Sequence, residues 1–281
     1  MVNINGTSVE NTRATLAISN RGFNYGDAVF ETIKTISGKI LFWEDHYFRL
    51  MASMRIMRME IPMRFTPEFL ESEIKALITA NALSESACRI KLIVNRAVGG
   101  YYTPNQSGVE YMIMLEPLSN DLYLFNDGAY EVDLFKDYYV SPDLLSTIKT
   151  NNRAINVVGS IYAEENSLQN CLLLNSNKLV VESLNANLFL VKGKTIKTPP
   201  IFDGCLKGVL RKQLIDIIEL LPEYHLEEAS ISPFELQQAD ELFLTNVIVG
   251  VQSVTKYRKK QYENDVAKAL LAKLNLKVRL S

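Results

Sequence analysis

The carboxylate of Glu182 lies between two apolar segments of the sequence, 178–181 and 187–191. A charge beside buried strands is costly unless hydrogen bonds or an opposite charge compensate it. Glu182 therefore either caps an ordinary hairpin, whose turn contains Asn185 and Asn187, or faces a cationic partner inside a pocket. The second alternative requires a suitably placed cation elsewhere in the chain.

Lys149 is the residue that could supply this cation. It follows Ile148 and precedes a helix predicted over 151–166. A lysine that loses part of its hydration becomes neutral more readily, and a neutral amine can form a Schiff base. A solvated lysine beside a helix start is the alternative, and the spacing alone favours it.

Three further segments contain groups that bind anions. Arg49 lies on a helix predicted over 44–59 and could present its fork to a phosphate, although a surface arginine whose stem shields apolar neighbours is the commoner case. Residues 208–211 open a predicted helix, where unpaired backbone N–H groups and the helix dipole favour an anion. Residues 245–246, Thr-Asn, end a predicted strand and add a hydroxyl and an amide.

Composition excludes several classes of protein. The chain has 281 residues, of which 47% are hydrophobic and 22% charged, and its net charge is −2. Its lysines and arginines are scattered, whereas a nucleic-acid-binding protein needs a basic face. We expect neither a signal peptide in the polar first twenty residues nor a membrane span.

The few cysteines and histidines limit the kinds of catalytic and metal site that the chain can form. The cysteines at 88, 171 and 205 are far apart and odd in number, so we expect no disulfide framework, no metal site and a reducing cytoplasm. His46 and His225 are the two histidines, so a histidine-based hydrolase or metal site would depend on them. In an enzyme of this composition, a lysine or a carboxylate is the expected proton carrier.

The pattern along the chain predicts an α/β protein with two lobes and a cleft between them. The predicted domains are an N-terminal α/β lobe at 1–118, a linker at 119–128 rich in turn formers, and a C-terminal lobe at 129–281. Ser232 and Glu235 have the spacing of a capping box. The predicted strands and helices are a hairpin at 28–36 and 39–43, a helix opened by Thr66-Pro67, strands at 89–95 and 110–115, apolar strands at 130–135, 171–174 and 241–245, and helices at 207–221 and 264–274.

These motifs together resemble one enzyme family. Tyr25-Gly-Asp-Ala-Val-Phe-Glu-Thr32, His46-x-x-Arg49, Lys149, Glu182-x4-Asn187 and Gly208-x-x-Arg211 follow in the order found in class IV, fold-type IV, pyridoxal-phosphate enzymes. That family includes branched-chain and D-amino-acid aminotransferases and 4-amino-4-deoxychorismate lyase. The resemblance runs from about residue 3 to about residue 255, and it implies a smaller N-terminal α/β lobe and a larger, β-barrel-like C-terminal lobe with helices.

The resemblance also implies roles for single residues. Lys149 matches the lysine that binds pyridoxal 5'-phosphate covalently, and Glu182 matches the carboxylate that pairs with the protonated pyridine nitrogen. Arg49 matches a phosphate ligand. The implied cofactor-binding residues are Arg49, Lys149, Glu182, Asn187, Val209, Leu210, Thr245 and Asn246, and the implied substrate-binding residues are Tyr25, Phe30, Thr32 and Arg96.

Single positions favour the lyase branch over the transaminases. Leu210 stands where the transaminases usually have a phosphate-binding threonine, Asn246 and Thr32 are also closer to the lyases, and Ala154 replaces a tyrosine common in branched-chain transaminases. Tyr101 departs from the lyases, which have an arginine at that position.

We therefore predict a lyase that releases pyruvate from aminodeoxychorismate to give 4-aminobenzoate. The alternatives are a branched-chain or D-amino-acid aminotransferase and a non-catalytic protein that binds a ligand. The substrate in either enzyme is a small amine with a carboxylate. The resemblance further implies a homodimer with a shared active site, in which residues 96–106 form a loop lent to the partner subunit.

Overall fold

The computed structural model describes residues 1–280. The chain divides into two compact units. The first comprises Met1–Asp121 together with Ile148–Asn152, and the second comprises Leu122–Thr147 and the described chain from Arg153 onward. Within residues 1–280, no helix has both the length and the apolar character needed to cross a membrane.

The first unit contains an antiparallel sheet covered on one face by helices. The sheet order is β2-β1-β6-β5-β3-β4. The elements are β1 (Val2–Ile4), β2 (Thr7–Val9), a 3-10 helix (Asn11–Arg13), α1 (Arg21–Tyr25), β3 (Ala28–Ile36), β4 (Lys39–Ile40), α2 (Trp43–Ile56), α3 (Pro67–Ala80), β5 (Cys88–Arg96) and β6 (Val109–Pro117).

Alternation along β3 gives the two faces of this sheet different characters. Val29 and Ile33 are fully buried in the core beneath α2 and α3, which fixes the direction of Glu31 between them. Phe30 and Thr32 therefore point to the opposite face. The helices contribute apolar side chains at helical spacing to the same core, namely Leu50, Met54, Leu70, Ile74 and Leu77.

The segment Ile148–Asn152 joins the first unit by backbone bonding to β3. Phe30 N–H donates to the Lys149 carbonyl at 2.8 Å, and Asn151 N–H donates to the Ala28 carbonyl at 3.0 Å. Thr150 forms a bridge with Val29. The domain limits predicted from the sequence place Lys149 in the C-terminal lobe, whereas these bonds tie it to the first unit.

The second unit contains a larger mixed sheet. Its elements are β7 (Glu131–Val140), α4 (Leu144–Thr147), α5 (Ala154–Glu165), β8 (Asn170–Asn175), β9 (Val180–Ser183), β10 (Asn187–Lys192), β11 (Thr195–Thr198), a 3-10 helix (Ile201–Asp203), α6 (Val209–Glu219), β12 (His225–Glu228), α7 (Pro233–Gln238), β13 (Glu241–Asn246), β14 (Gly250–Val254), β15 (Lys256–Tyr257), β16 (Lys260–Gln261) and α8 (Asp265–Leu280).

Strand β10 is the branch point of this sheet. The main path runs β12-β11-β10-β9-β8-β7-β15-β16, and β13 pairs with both β10 and β14. The pairs β7–β8, β11–β12 and β7–β15 are parallel. Phe189 on β10 stacks on Phe243 of β13, with ring centroids 5.1 Å apart, so the branch is also a packing centre.

The structure confirms the mixed α/β class and most of the elements predicted from the sequence. The capping box at Ser232 and Glu235 is present with both of its bonds, and Thr66 caps α3 with Pro67 at its first position. The predicted helix at 151–166 begins later, at Ala154, because 148–152 is drawn along β3. The helix predicted at 264–274 continues to Leu280.

Candidate active site

Lys149 projects to the face of the first unit's sheet that the helical core does not occupy. Its neighbours Ile148 and Thr150 are buried, at 4% and 5% exposure, and successive side chains of an extended segment point to opposite sides. Lys149 therefore shares a side with Phe30. Its Nζ lies 4.7 Å from the centroid of the Phe30 ring, which is a cation–π distance.

Lys91 occupies the same surroundings and was not identified from the sequence. Its Nζ lies 5.1 Å from the Phe30 ring centroid. Lys91 pairs directly with Thr32 across β3 and β5, so these two side chains stand on the face that also carries Phe30. The structure thus places Lys91 and Lys149 at one aromatic ring, with the Thr32 side chain on the same face of the sheet.

Arg49 is held by a carboxylate on the core face of the sheet. Its Nε donates to Glu31 Oε1 at 2.8 Å, and its Nη2 donates to Glu31 Oε2. His46 Nδ1 lies 2.7 Å from the same Oε2. His46 and Arg49 are three residues apart on α2, so both reach Glu31 from one side of the helix.

Burial and charge set the protonation of this trio. Burial raises the pKa of Glu31, but the Arg49 charge and the bonds from His46 and Arg49 outweigh it and lower that pKa to about 2. Burial lowers the pKa of His46 and exceeds the opposing effect of Glu31. At neutral pH the trio consists of an anion, a cation and a neutral imidazole.

The predicted substrate residues Tyr25 and Arg96 lie at a clamp around Asp27. Arg21 Nε and Arg96 Nε both donate to Asp27 Oδ2, at 2.8 and 2.9 Å. Arg21 also lies 5.0 Å from the Tyr25 ring centroid. Tyr25 is partly exposed and contacts the Tyr102 ring at a centroid distance of 5.6 Å.

Arg96 is committed to internal partners. It is 7% exposed, and its Nη1 and Nη2 donate to the carbonyls of Arg58 and Met57 at 3.0 and 2.6 Å. With Nε on Asp27, each of its nitrogens holds a group of the protein itself. The substrate role implied for Arg96 by the resemblance stays a prediction, and these contacts weigh against it.

In the second unit, three of the predicted cofactor residues form one row across neighbouring strands. Asn187 on β10 pairs with Glu182 on β9 and with Thr245 on β13. Directly paired residues project to the same side of a sheet. All three are buried, at 7% exposure for Glu182, 4% for Asn187 and 2% for Thr245.

Two members of the row position the segment that leads into α6. Leu206 N–H donates to Glu182 Oε2 at 2.9 Å, and Asn187 Nδ2 donates to the Leu206 carbonyl at 2.8 Å. Asn187 also requires a glycine at 208, because a Cβ there would lie 1.9 Å from its Oδ1. Glu182, Asn187 and the segment that leads into α6 are therefore packed against one another.

The start of α6 has the form of an anion site. Gly208 is the N-cap residue and offers no side-chain cap, so the N–H groups of the first turn are not bonded by their own cap. Val209 and Leu210 are buried, at 4% and 1% exposure. Their backbone N–H groups and the positive end of the helix dipole suit a phosphate.

Thr245 and Asn246 form side-chain bonds within the turn between β13 and β14, and Asn246 Nδ2 also donates to the Asn185 carbonyl at 3.4 Å. Thr245 Oγ1 donates to the Gly250 carbonyl at 2.9 Å. Asn246 Oδ1 accepts from the N–H groups of Ile248 and Val249, both at 3.0 Å. Their role as phosphate ligands stays a prediction, and the structure gives them a turn-forming one.

Neighbouring Cys205 is not a competing nucleophile. Burial first, and then the negative charge of Glu182, raise the pKa of Cys205 to about 12. Its Sγ contacts the carbonyls of Pro199 and Pro200. The thiol stays protonated at neutral pH.

Sequence reasoning missed Glu31, Arg21 and Lys91. Glu31 is an acid at a core-facing position of an apolar strand, and a buried acid requires a cation, which His46-x-x-Arg49 could have suggested. Lys91 lies between apolar residues on β5, and this alternation indicates that its side chain points away from the core. The contacts of Arg21 with residues far along the chain could not be predicted, because no sequence pattern around Arg21 indicates them.

Comparisons with known proteins agree with this description. The sequence model of amino-transferase class IV matches residues 28–257. The chain is 28% identical over 258 residues to a putative branched-chain-amino-acid aminotransferase of Methanocaldococcus jannaschii, with 89% of this chain and 85% of that protein covered. It is 27% identical over 244 residues to the aminodeoxychorismate lyase of Vibrio harveyi, covering 85% of this chain and 86% of the lyase.

The fold is likewise shared. The crystal structure of the branched-chain aminotransferase from Thermoproteus uzoniensis with norvaline matches with a TM-score of 0.87 at 22% identity, covering 97% of this chain and 92% of that one. The family match and the shared fold define the class: an enzyme of fold type IV that depends on pyridoxal phosphate. The chain belongs to amino-transferase class IV. The family and fold expected from the ordered motifs are thereby confirmed.

Proposed function

We propose that this chain is a pyridoxal-phosphate-dependent lyase that converts 4-amino-4-deoxychorismate to 4-aminobenzoate and pyruvate. The observation that carries the proposal is the pairing of Thr32 with Lys91 beside Phe30 and Lys149. A cation and a hydroxyl suit a substrate with carboxylates better than they suit a branched aliphatic side chain. The similarity to the Vibrio harveyi lyase supports the same activity.

Each of the two units contains residues whose chemistry suits the cofactor. Lys149 supplies the primary amine, and Glu182 supplies a buried carboxylate whose Oε2 is oriented by the Leu206 amide. The first turn of α6 has backbone N–H groups without a side-chain cap, as a phosphate requires. Arg49 is paired with Glu31 on the core face of the sheet, so the phosphate contact that the resemblance implies for it stays a prediction.

In the proposed reaction, each residue has one task. When bound, pyridoxal phosphate draws electrons away from the carbon that carries the substrate's amino group. Glu182 would supply the carboxylate that faces the pyridine nitrogen of the bound cofactor. Lys149 Nζ would take the proton from the amine-bearing carbon, and the ring carbon–oxygen bond to the enolpyruvyl group would then break as the ring becomes aromatic. Lys149 would return the proton to the methylene carbon of that group, which gives pyruvate. Lys91 holds a substrate carboxylate.

An amino-acid aminotransferase is the second candidate, favoured by the similarity to the Methanocaldococcus jannaschii protein. The two activities separate in one experiment. The purified holoenzyme is given aminodeoxychorismate, and in parallel branched-chain and D-amino acids with 2-oxoglutarate. We expect 4-aminobenzoate and pyruvate in equal amounts from the first mixture. Amine transfer in the second mixture without lyase turnover would replace the lyase by the aminotransferase.

Two variants test the residues behind the proposal. Lys149→Ala should abolish turnover and the borohydride-fixed bond between protein and cofactor. Lys91→Met should raise the KM for aminodeoxychorismate by roughly tenfold or more, because a charged hydrogen bond is lost. Lys75→Met, on the exposed surface of α3, is the matched control. An unchanged KM in Lys91→Met would remove the proposed carboxylate contact.

We also propose that the chain is a homodimer. Val157, Val158 and Ile161 share one side of α5 and are 58%, 40% and 50% exposed. An exposed apolar stripe of this kind is typical of an interface. Val157→Glu should convert the dimer to a monomer in light scattering, and a wild-type chain of monomer mass would contradict the proposal.

The three thiols are free and buried, which suits the reducing cytoplasm that we propose as its compartment. A fluorescent fusion of the chain that left the cytoplasm would argue against this assignment.

A further inference from the structure

Asp27 joins two buried arginines at the turn before β3. Its Oδ2 accepts from Arg21 Nε at 2.8 Å and from Arg96 Nε at 2.9 Å. Arg21 is 3% exposed, Asp27 8% and Arg96 7%. Hydrogen bonds between charged groups are short and directional, so the shared carboxylate fixes the positions of both guanidinium groups.

Through Arg21, this carboxylate also fixes part of the loop at 96–106. Arg21 Nη1 donates to the carbonyls of Gly99, Gly100 and Tyr101, at 2.9, 3.3 and 2.5 Å. One nitrogen thus contacts three successive carbonyls of the loop, while Nε of the same guanidinium is bonded to Asp27. The conformation of the loop at this point therefore depends on the orientation that Asp27 gives to Arg21.

The ring of Tyr25 lies against both parts of this arrangement. Arg21 Cζ is 5.0 Å from the centroid of the ring, which is a cation–π distance. The ring of Tyr102, from the loop, lies at a centroid distance of 5.6 Å and is tilted by 55°. Tyr25 is 38% exposed, so part of its side chain remains accessible to a ligand. The two neighbours that restrict the ring both depend on Asp27 for their positions.

The backbone next to Tyr25 lies beside the segment that carries Lys149. The Gly26 carbonyl accepts from the side chain of Asn152, three residues after Lys149, at 3.4 Å. Gly26 has a φ of +64°, and a Cβ there would lie 2.3 Å from Asn152 Oδ1, so this close approach requires glycine. Tyr25 and the lysine segment therefore belong to one region of the first unit.

We infer that Asp27 is a positioning residue for substrate recognition, which holds Tyr25 through Arg21 so that the Tyr25 hydroxyl donates to a carboxylate of the substrate. The inference rests on the proposed lyase function. Asp27 is buried between two arginines, so it acts on the substrate through Tyr25. Loss of Asp27 should therefore raise the KM for the substrate and leave kcat, which depends on proton transfer by Lys149, unchanged.

Steady-state kinetics of the holoenzyme with aminodeoxychorismate separate these two quantities. Asp27→Asn keeps the size of the side chain and removes its charge, so it should raise the KM by about tenfold and change kcat by less than about twofold. Tyr25→Phe, which removes the hydroxyl, should raise the KM by a similar factor. In the double variant, the second substitution should add less than about twofold to the KM, because both substitutions remove the same contact.

A second measurement needs no substrate. Asp27→Asn should accelerate chymotrypsin cleavage after Tyr101 and Tyr102 several-fold, because Arg21 is no longer held against the loop. An unchanged cleavage rate would mean that Asp27 does not hold the loop, and it would overturn the inference.

Glu73→Gln is the matched control for a structural effect. Glu73 also belongs to the first unit, and its Oε2 accepts from Asn3 Nδ2 at 2.8 Å and from the Tyr111 hydroxyl at 2.7 Å. This variant should lower the free energy of unfolding without changing the KM or the rate of cleavage in the loop.

The outcomes distinguish the two proposals. If the wild type does not convert aminodeoxychorismate, the proposed function falls and this inference falls with it. If the wild type does convert it, the inference alone is overturned when Asp27→Asn leaves the KM unchanged, lowers kcat by more than it raises the KM, or adds its full effect to that of Tyr25→Phe. Should Asp27→Asn not fold, Arg21→Lys keeps the charge but loses the bonds that join Asp27 to the loop, and it should raise the KM in the same way. An unchanged KM in that variant overturns the inference.

Discussion

Glu182 on β9 and Asn187 on β10 are directly paired, and both side chains bond to the backbone of the same residue, Leu206. Glu182 accepts the N–H of Leu206, and Asn187 donates to the Leu206 carbonyl. A hairpin cap was one alternative for Glu182 in the sequence, and its bond from Leu206 reaches a segment outside the β9–β10 hairpin. The charge of Glu182 is thus built into the approach to α6, where the helix offers its N–H groups.

The contact between Asn187 and Gly208 leads to a first prediction. Gly208 has an ordinary helical-entry backbone with φ of −68°, so an alanine there meets no backbone strain. Its Cβ would nevertheless lie 1.9 Å from Asn187 Oδ1. We expect Gly208→Ala to lower the free energy of unfolding by about 1–3 kcal/mol, measured in urea, and to weaken cofactor binding.

A double variant checks the cause of that loss. In an Asn187→Ala background the clash is gone, so adding Gly208→Ala should cost less than about 0.5 kcal/mol. Equal costs in both backgrounds would show that crowding against Asn187 is not the reason.

A second prediction concerns the charge of Glu182. Glu182→Gln keeps an oxygen that can accept from Leu206, so the free energy of unfolding should change little. Activity should fall by about 100-fold or more, because the neutral amide no longer stabilises a protonated ring nitrogen. Glu164→Gln, on the exposed side of α5, is the control. A variant of Glu182 with wild-type kcat would refute the assigned role.

A third prediction follows from the lowered pKa of Glu31. The folded pKa is about 2 against an ordinary value of 4.5. The stability from this ionised group is therefore fully present above pH 4.5 and is lost as the pH falls towards 2, by about 3 kcal/mol in total. The difference in unfolding free energy between wild type and Glu31→Gln should shrink over this range.

Glu44→Gln, which changes an exposed carboxylate of α2, is the control variant for that experiment and should reproduce the wild-type unfolding curve at each pH. A gap between wild type and Glu31→Gln that stays constant from pH 5 to pH 2 would contradict the assignment.

A fourth prediction concerns Arg21 and the loop at 96–106. Arg21 Nη1 donates to the carbonyls of Gly99 at 2.9 Å and Tyr101 at 2.5 Å. Tyr101 and Tyr102 are 83% and 89% exposed, so the tip of the loop is accessible to protease. Arg21→Gln should accelerate chymotrypsin cleavage there several-fold, because the backbone loses its anchor.

Arg13→Gln is the control for this experiment, since Arg13 is a solvated arginine paired with Glu10. It should leave the cleavage rate unchanged. Equal rates for wild type and Arg21→Gln would mean that the loop is held by other contacts.

The local sequence pattern predicted those features correctly that depend only on neighbouring residues, such as the helix caps. Thr66 and Ser232 cap helices because their hydroxyls bond the first free N–H groups, and both caps are readable from the residues that follow them. Arg96 shows the limit. The residues around it resemble a substrate-binding segment. In the structure, however, its nitrogens donate to Asp27 and to the carbonyls of Arg58 and Met57.

The sequence by itself determined the family, the cofactor and the mixed α/β class, because these depend on a few residue types in a required order. It determined neither the partners of those residues nor the unit to which Lys149 belongs. Strand pairing decided that the backbone at 149–151 lies along β3, and that Glu182, Asn187 and Thr245 form one row. Such contacts join residues far apart in the chain, and a local pattern contains no record of them.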